Sequence, residues 1–146
     1  MNFDVLMVCE GNICRSPIAA ALLARELPHL DVQSAGTHAH VGESANPVAV
    51  QLADERGLDI RTHIARLVTS AHVRDAQLVL TMTRAQRGLI EMNYPHAKGK
   101  VFRLGEYDAV DIVDPYMRSP FIFELAMSQI EQGVSRWLEP IARLSH

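Results

Sequence analysis

The sequence predicts a single α/β domain whose parallel sheet carries helices on both faces. Short apolar segments with strand character alternate along the chain with longer segments of helical character. Strands that alternate with helices build a mostly parallel sheet that is covered on both sides. The chain has 146 residues, 48% hydrophobic and 21% charged, and shows no repeat or linker, so we expect one domain over residues 1–146.

The first unit is a strand, a tight loop and a helix. Residues 4–8 are a short apolar run, typical of a strand that is buried on both faces. The run stops at a loop that contains Gly11, and residues 17–27 are then rich in strong helix formers. Pro17 favours a helix start, where its missing N–H is not needed. Ligands bind beyond the carboxyl ends of parallel strands, so this loop is the predicted site.

The later segments continue the alternation, with strands at 32–34, 76–82 and 100–104 and helices at 47–56, 83–92 and 121–144. Gly57 is expected to end the first of these helices, and Thr83 to cap the second. The last helix carries an apolar stripe made of Ile122, Ala126, Ile130, Val134, Trp137, Leu138 and Ile141. Residues 105–119 show no clear period, and long ordered loops are often functional.

Composition argues against several classes of protein. The formal charge of −3 does not suggest the basic face of a nucleic-acid binder, and no apolar run approaches the roughly 20 residues of a membrane span. The N-terminal residues are not a signal peptide, so we expect a cytoplasmic protein without membrane insertion. The two cysteines do not have zinc-ligand spacing. His38 and His40 have no third ligand nearby, so no metal site is predicted.

The loop at residues 9–16, Cys-Glu-Gly-Asn-Ile-Cys-Arg-Ser, has the chemistry to bind a phosphate dianion. A loop that leads into a helix N-terminus points backbone N–H groups inward and adds the positive end of the helix dipole. Gly11 permits a close backbone approach, and Arg15 offers a planar fork for two phosphate oxygens. Cys9 opens the loop, so this surrounding favours its nucleophilic thiolate form. Ser16 could donate a hydrogen bond to the sulfur.

Residues 9–17 resemble the signature of the low-molecular-weight protein tyrosine phosphatases, Cys-x-Gly-Asn-x-Cys-Arg-Ser followed by Pro. Asp114-Pro115-Tyr116 resembles the Asp-Pro-aromatic motif that this family carries far downstream, and Ser34-Ala35-Gly36-Thr37 matches a further family segment. The likeness extends over essentially the full length and is closest to bacterial members. It implies a four-stranded parallel sheet with flanking helices, in agreement with the pattern of segments.

The resemblance implies hydrolysis of protein phosphotyrosine through a cysteinyl phosphate. Cys9 would attack phosphorus, Arg15 and the loop amides would stabilise the phosphoryl oxygens, and Asp114 would protonate the leaving phenolate. The residues alone leave Asp108, Asp111 and Asp114 open as the acid, and the Asp-Pro-Tyr motif selects Asp114. No metal or other cofactor is expected.

The resemblance also suggests which residues contact the substrate, namely Glu10, Gly11, Asn12, Ile13, Cys14, Ser16, His40 and Tyr116. Tyr116 would stack on the phenyl ring, and His40 stands where relatives place another wall residue. His40 and Met117 depart from the mammalian type and resemble bacterial members. Glu10 is a further departure, an acidic side chain near the mouth that either disfavours acidic substrates or is simply solvated.

Two further expectations concern the support and protection of the loop. Asn12, Ser34 and His63 match family positions that brace the loop by hydrogen bonds, and Asn12 suits a strained left-handed conformation. Cys14 matches a cysteine that can pair with the nucleophile under oxidation. We therefore expect a reversible bridge between Cys9 and Cys14 that protects Cys9 from irreversible oxidation.

Three alternative functions must be weighed. Arsenate reductases of this fold use additional downstream cysteines, and this chain has none after Cys14. Arginine phosphatases of the family usually have Thr where this chain has Ile13, and a non-enzymatic phosphate-binding module would not need both Cys9 and Asp114. The expected partner is a phosphotyrosine-containing protein. In bacterial relatives it is often a tyrosine autokinase that controls capsule or exopolysaccharide export.

Overall fold

The computed structural model describes residues 2–144, which form one four-stranded sheet with helices on both faces. The strands are β1 (Phe3–Cys9), β2 (Val32–Gly36), β3 (Ala76–Thr81) and β4 (Val101–Arg103). Their order is β2-β1-β3-β4, and every neighbouring pair is parallel. The α/β prediction is confirmed, and the predicted strands differ from the observed ones by one or two residues at their ends.

β1 lies near the centre of the sheet, and all seven of its residues are buried. Val5, Met7 and Cys9 pack into one hydrophobic layer, while Leu6 and Val8 pack into the other. This alternation follows from the pleat, which points successive side chains to opposite faces. Because β1 pairs with both β2 and β3, the loop that follows Cys9 emerges between the loops of two neighbouring strands.

Five helices cover the sheet: α1 (Arg15–Glu26), α2 (Pro47–Glu55), α3 (Ser70–Asp75), α4 (Arg84–Asn93) and α5 (Pro120–Ala142). Helices α1, α2 and α5 pack on one face, and α3 and α4 on the other. Thr83 caps α4 and Gly57 follows the end of α2 with a φ of 75°, both as predicted. No helix within residues 2–144 is long and apolar enough to cross a membrane.

Two helices differ most from the sequence-based expectation, and the other three agree with it to within one or two residues at each end. α1 begins at Arg15, two residues before the predicted start, and Pro17 lies in its first turn, where a missing N–H is still tolerated. α3 was not predicted, because six residues are too few to show a helical period. It is specified instead by a capping box, in which Thr69 accepts from the backbone of His72 and the His72 side chain accepts from Thr69.

The buried stripe of α5 is rotated slightly from the predicted one. Phe123 and Met127 are buried, whereas Ile122 and Leu138 are only half-buried. The stripe packs against α1 and the sheet, which places the N-terminus of α5 next to the loop of residues 105–119. That loop contains one short 3₁₀ turn, Glu106–Asp108, and otherwise lacks regular structure, as predicted.

Candidate active site

The loop between β1 and α1 turns its carbonyl groups outward. The five carbonyls of residues 9–13 accept hydrogen bonds at 2.6 to 3.0 Å, in order from the N–H groups of Thr37, His38 and His40, the His63 imidazole and the N–H of Asn46. The peptides are trans, and the N–H and C=O of a trans peptide point in opposite directions. The N–H groups of residues 10–14 therefore face the inside of the loop, which makes a concave anion site.

Asn12 is the residue around which the loop is wound. Its φ is 58°, in the left-handed region that asparagine tolerates better than most residues. The fully buried Asn12 side chain donates to Ser16 Oγ at 2.8 Å and to Ser34 Oγ at 3.0 Å, and accepts from Arg66 N–H at 3.0 Å. These three bonds fix the orientation of the amide and hold the unusual backbone conformation in place.

His63 completes this support from the partly buried side of the loop. Its Nε2 lies 2.6 Å from the carbonyl oxygen of Asn12, and a carbonyl can only accept, so Nε2 carries the proton. Burial lowers the pKa of His63, which favours the neutral imidazole at neutral pH. The predicted network of Asn12, Ser34 and His63 is thus present: Ser34 binds the amide of Asn12, and His63 binds its carbonyl.

The sulfur of Cys9 receives two hydrogen bonds at the base of the loop. The backbone N–H of Asn12 lies 3.2 Å from Sγ, and the Ser16 hydroxyl lies 2.9 Å from it. Because Ser16 Oγ accepts from the Asn12 amide, its own hydrogen is available for the sulfur. Ser16 was predicted to contact the substrate, but it does not line the cavity that contains Cys9. The predicted hydrogen bond between its hydroxyl and Cys9 is present. Both contacts place hydrogen-bonding groups directly at the sulfur.

Arg15 and Asp114 form an ion pair, and both line the same cavity as Cys9. The Arg15 side chain is only 4% exposed, and its Nη1 donates to the carbonyl of Ile112 at 2.9 Å. Its Nη2 lies 3.6 Å from Oδ2 of Asp114, whose side chain is 44% exposed and can reach a ligand. The other carboxylate oxygen of Asp114 accepts from the N–H of Tyr116 at 3.1 Å. The guanidinium is thus held in a fixed direction while the carboxyl stays accessible.

The other two aspartates of this loop are occupied elsewhere. Asp111 accepts from Nη1 of Arg103 at 3.2 Å and from the N–H of Arg84 at 3.0 Å. Asp108 lies 3.4 Å from Arg136 on α5. Of the three candidates, Asp114 is the one that lines the cavity with Cys9. Its position is compatible with the predicted role of general acid, which stays a prediction.

The cavity above Cys9 encloses about 220 Å³. Its lining includes all the predicted contact residues except Ser16, namely Glu10, Gly11, Asn12, Ile13, Cys14, His40 and Tyr116. The predicted catalytic residues Cys9, Arg15 and Asp114 also line it, and so does His38. The rings of His40 and Tyr116 meet edge to face with centroids 5.2 Å apart, and Ile13 adds an apolar surface. Within residues 2–144 no group of three or more metal-ligating side chains occurs, and His38 and His40 belong to this wall.

Residues 4–145 match the family model of the low molecular weight phosphotyrosine protein phosphatases. The chain belongs to this family. A probable low molecular weight protein-tyrosine-phosphatase, EpsP of Ralstonia solanacearum, is 44% identical over 96% of this chain and 97% of its own length.

Solved structures of the family superpose over almost the whole chain. The tyrosine phosphatase Wzb from Escherichia coli K30, in complex with sulphate, has a TM-score of 0.91 and 37% identity, covering 96% of this chain and 99% of its own. The YwlE arginine phosphatase from Geobacillus stearothermophilus has a TM-score of 0.88 and 31% identity, covering 99% of each chain. The fold alone therefore does not distinguish phosphotyrosine from phosphoarginine as the substrate.

The sequence did not predict that the segment after β2 supports the loop of residues 9–16. The N–H groups of Thr37, His38 and His40 bind three loop carbonyls, and Gly36 lies directly beneath the loop. A Cβ at Gly36 would stand 2.4 Å from the carbonyl oxygen of Glu10, so only glycine fits there. Residues 34–37 resemble a family segment, but the resemblance does not reveal the backbone bonds to the loop. Such bonds leave no side-chain pattern from which they could be predicted.

Gly36→Ala is expected to lower kcat by at least about tenfold and to destabilise the protein by roughly 1–3 kcal/mol, because the added methyl overlaps the Glu10 peptide. Aryl phosphate hydrolysis and thermal unfolding would measure the two effects. Gly88→Ala, at an exposed position of α4 with open space around a Cβ, is the matched control and should not destabilise. Equal behaviour of the two variants would contradict the close packing assigned to Gly36.

Proposed function

We propose that this protein hydrolyses protein phosphotyrosine through a covalent phosphate on Cys9. The observation that carries the proposal is the convergence of three groups on one cavity: the Cys9 sulfur, the inward N–H groups of residues 10–14, and the Arg15–Asp114 pair. Nucleophile, anion site and proton donor are the three parts that a metal-independent phosphoryl transfer requires. Membership of the phosphatase family supports this assignment.

In the first step the Cys9 thiolate attacks phosphorus, and the bond between phosphorus and the tyrosine oxygen breaks. Asp114 gives its proton to the departing phenolate oxygen, which would otherwise be a poor leaving group. Arg15 and the loop N–H groups bind the three remaining phosphoryl oxygens while charge shifts among them. The similar phosphatase Wzb forms a complex with sulphate, a tetrahedral oxyanion like phosphate.

In the second step water attacks the cysteinyl phosphate, and the bond between sulfur and phosphorus breaks. The proton of the water passes to the Asp114 carboxylate, so the acid of the first step acts as the base of the second. Inorganic phosphate leaves, and Cys9 returns as a thiolate supported by Ser16 and the N–H of Asn12. The Asn12 side chain, Ser34 and His63 act as braces of the loop in this proposal, whereas the backbone N–H of Asn12 contacts the Cys9 sulfur.

The cavity walls favour an aryl phosphate over a phosphoarginine. Tyr116 and His40 form an aromatic rim, and the buried Ile13 side chain presents an apolar surface without a hydroxyl to bind a guanidinium. This point separates the chain from the arginine phosphatase neighbours despite the shared fold. Arsenate reduction is disfavoured because there is no cysteine after Cys14.

A side-by-side assay of phosphotyrosine peptide, phosphoarginine and arsenate tests the proposed function. We expect release of phosphate from the peptide, with kcat/KM at least about 100-fold above that for phosphoarginine, and no arsenate reduction by added thiols. The discrimination follows from Ile13 and the aromatic rim. Faster hydrolysis of phosphoarginine would make the protein an arginine phosphatase, and reduction of arsenate would make it an arsenate reductase.

We also propose that the physiological partner is a phosphotyrosine protein of the tyrosine autokinase type, acting in exopolysaccharide or capsule regulation in the cytoplasm. The resemblance to bacterial family members supports this partner, and EpsP, Wzb and AmsI are among the proteins to which the chain is similar. Co-expression of this chain with such a kinase, followed by anti-phosphotyrosine blotting, would test the pairing. Unchanged phosphorylation of the kinase would contradict it.

Mild peroxide is expected to join Cys9 and Cys14 in a bridge whose formation quickens with pH. Burial raises the pKa of the Cys14 thiol to about 12, with the charges of Cys9 and Asp114 adding to the rise. Peroxide would convert Cys9 to a sulfenic acid, and the Cys14 sulfur would then displace water from it. The attacking thiolate becomes more abundant as pH increases towards that pKa.

Mass spectrometry of peptides after peroxide treatment at two pH values would measure the bridge. A Cys14→Ser variant should instead accumulate sulfinic acid on Cys9, because nothing resolves the sulfenic acid. Equal sulfinic acid in both proteins, with no bridge in either, would contradict the protective role of Cys14.

A further inference from the structure

A second groove adjoins the cavity above Cys9 and is larger, at about 450 Å³. It lies between the loop after β2, the first turns of α4 and residues 111–114, and we call it the side groove. Glu10, Arg15, His38 and Asp114 line both spaces, so the two are continuous at the mouth. A ligand whose phosphoryl group occupies the cavity can therefore extend into the side groove.

The side groove has an excess of negative charge. Three carboxylates line it, and Arg15 is its one arginine or lysine within residues 2–144. Asp114 pairs with Arg15, and Asp111 pairs with Arg103 from beneath. The exposed Glu10 carboxylate makes no ion pair or hydrogen bond with residues 2–144 and stands where groove and cavity meet. A bound phosphoryl dianion would make this mouth more negative still.

The lining of the side groove is also partly apolar. Ala85 and Leu89 on α4 and Ile112 and Val113 on the loop provide carbon surface along the side groove. Lysine and arginine side chains combine an apolar stem with a charged head, and such side chains lay the stem on carbon surface and extend the head towards a charge. The mixed lining matches this shape better than it matches a purely apolar or an acidic side chain.

We infer that the side groove receives a lysine or arginine side chain located within two residues of the phosphotyrosine, and that Glu10 binds its cationic head. The inference rests on the proposed function and adds a substrate class to it. Successive Cα atoms of a peptide are about 3.8 Å apart, so side chains one or two positions away can reach a groove that shares its mouth with the cavity. A glutamate or a second phosphotyrosine at these positions would be repelled by the carboxylate of Glu10, which is unpaired within residues 2–144.

Three phosphotyrosine peptides test the inference, identical except for Lys, Gln or Glu on both sides of the phosphotyrosine. For the wild type we expect kcat/KM to fall in that order, with Lys over Glu by about fivefold at low ionic strength, the size expected for exposed charge pairs. The ratio should shrink as salt is added, because exposed charges are screened. Glu10→Gln should reduce the ratio to about twofold or less.

Glu55→Gln is the control, since Glu55 is exposed on α2 outside both spaces and its substitution changes the net charge equally. Glu55→Gln should keep the wild-type ratio of kcat/KM between the Lys and Glu peptides. Ala85→Lys, which adds a cation inside the side groove, should lower the ratio independently of Glu10. Equal kcat/KM for the Lys and Glu peptides, or equal effects of Glu10→Gln and Glu55→Gln, would overturn the inference alone. Failure to hydrolyse any of the three peptides would overturn the proposed function together with it.

Discussion

Cys9→Ser is expected to reduce hydrolysis of a phosphotyrosine peptide by more than roughly 10⁴-fold while inorganic phosphate still binds. Replacement of a nucleophile that forms a covalent intermediate removes the chemical step and not merely part of its rate. The anion site, in contrast, is built by the N–H groups of residues 10–14 and by Arg15. The bonds to the loop carbonyls and to the carbonyl of Ile112 hold these groups in place, although the N–H of Asn12 also donates to the Cys9 sulfur. Steady-state kinetics and calorimetric titration with phosphate would measure the two properties separately.

The fold of this variant can be checked independently of its activity. A serine hydroxyl at position 9 can still accept from the N–H of Asn12 and bond to Ser16, so the loop should remain closed and Tm should change little. Loss of turnover with retained phosphate binding and unchanged Tm would assign the nucleophile to Cys9. Turnover within tenfold of the wild type would exclude a cysteinyl phosphate at this residue.

The anion loop was predictable because its chemistry is contiguous. Cys9, Arg15 and the turn between them lie within one strand–loop–helix unit, so local geometry alone brings them to one place. The order of elements was predictable for a similar reason, since buried parallel strands and amphipathic helices leave different patterns. α3 escaped prediction because six residues are too few to show a helical period of apolar residues. The helix is specified instead by its capping box.

The parts of the site that escaped prediction depend on backbone groups far from the loop in sequence. The carbonyls of the loop are held by N–H groups from residues 37–46 and by His63, and an N–H group is present at every residue type except proline. The same holds for Gly36, whose lack of a Cβ matters only because the Glu10 peptide lies above it. The side groove likewise appears only when three separate segments meet.

The choice of acid shows what tertiary structure adds to a motif. Asp108, Asp111 and Asp114 share one loop, and no local rule distinguishes them. Arg103, at the end of β4, binds Asp111, and Arg136 on α5 lies beside Asp108, so both ion pairs depend on elements outside the loop. Asp114 is left directed at Arg15 and the cavity. The family motif predicts Asp114 as the acid, and the ion pairs of Asp108 and Asp111 leave Asp114 as the one of the three that lines the cavity.

Asp114→Asn is expected to lower kcat for a phosphotyrosine peptide by roughly 10²–10⁴-fold, the usual contribution of a general acid. Asparagine keeps the size of the side chain and its acceptor for the N–H of Tyr116, but it has no proton to give the phenolate. The loss should be much smaller for p-nitrophenyl phosphate, because nitrophenol is a far stronger acid than tyrosine and leaves without a proton. Comparison of kcat for the two substrates therefore measures proton donation itself.

Asp108→Asn provides the control within the same loop. Asp108 lies beside Arg136 and outside the cavity, so its substitution should leave kcat for both substrates within about twofold of the wild type. A loss in Asp114→Asn that is equal for the peptide and the nitrophenyl ester would point to a displaced loop and not to a missing acid. Such a displacement should also weaken phosphate binding, because the loop orients Arg15 through the carbonyl of Ile112. Unequal losses with unchanged phosphate binding would leave proton transfer from Asp114 as the step that the substitution removes.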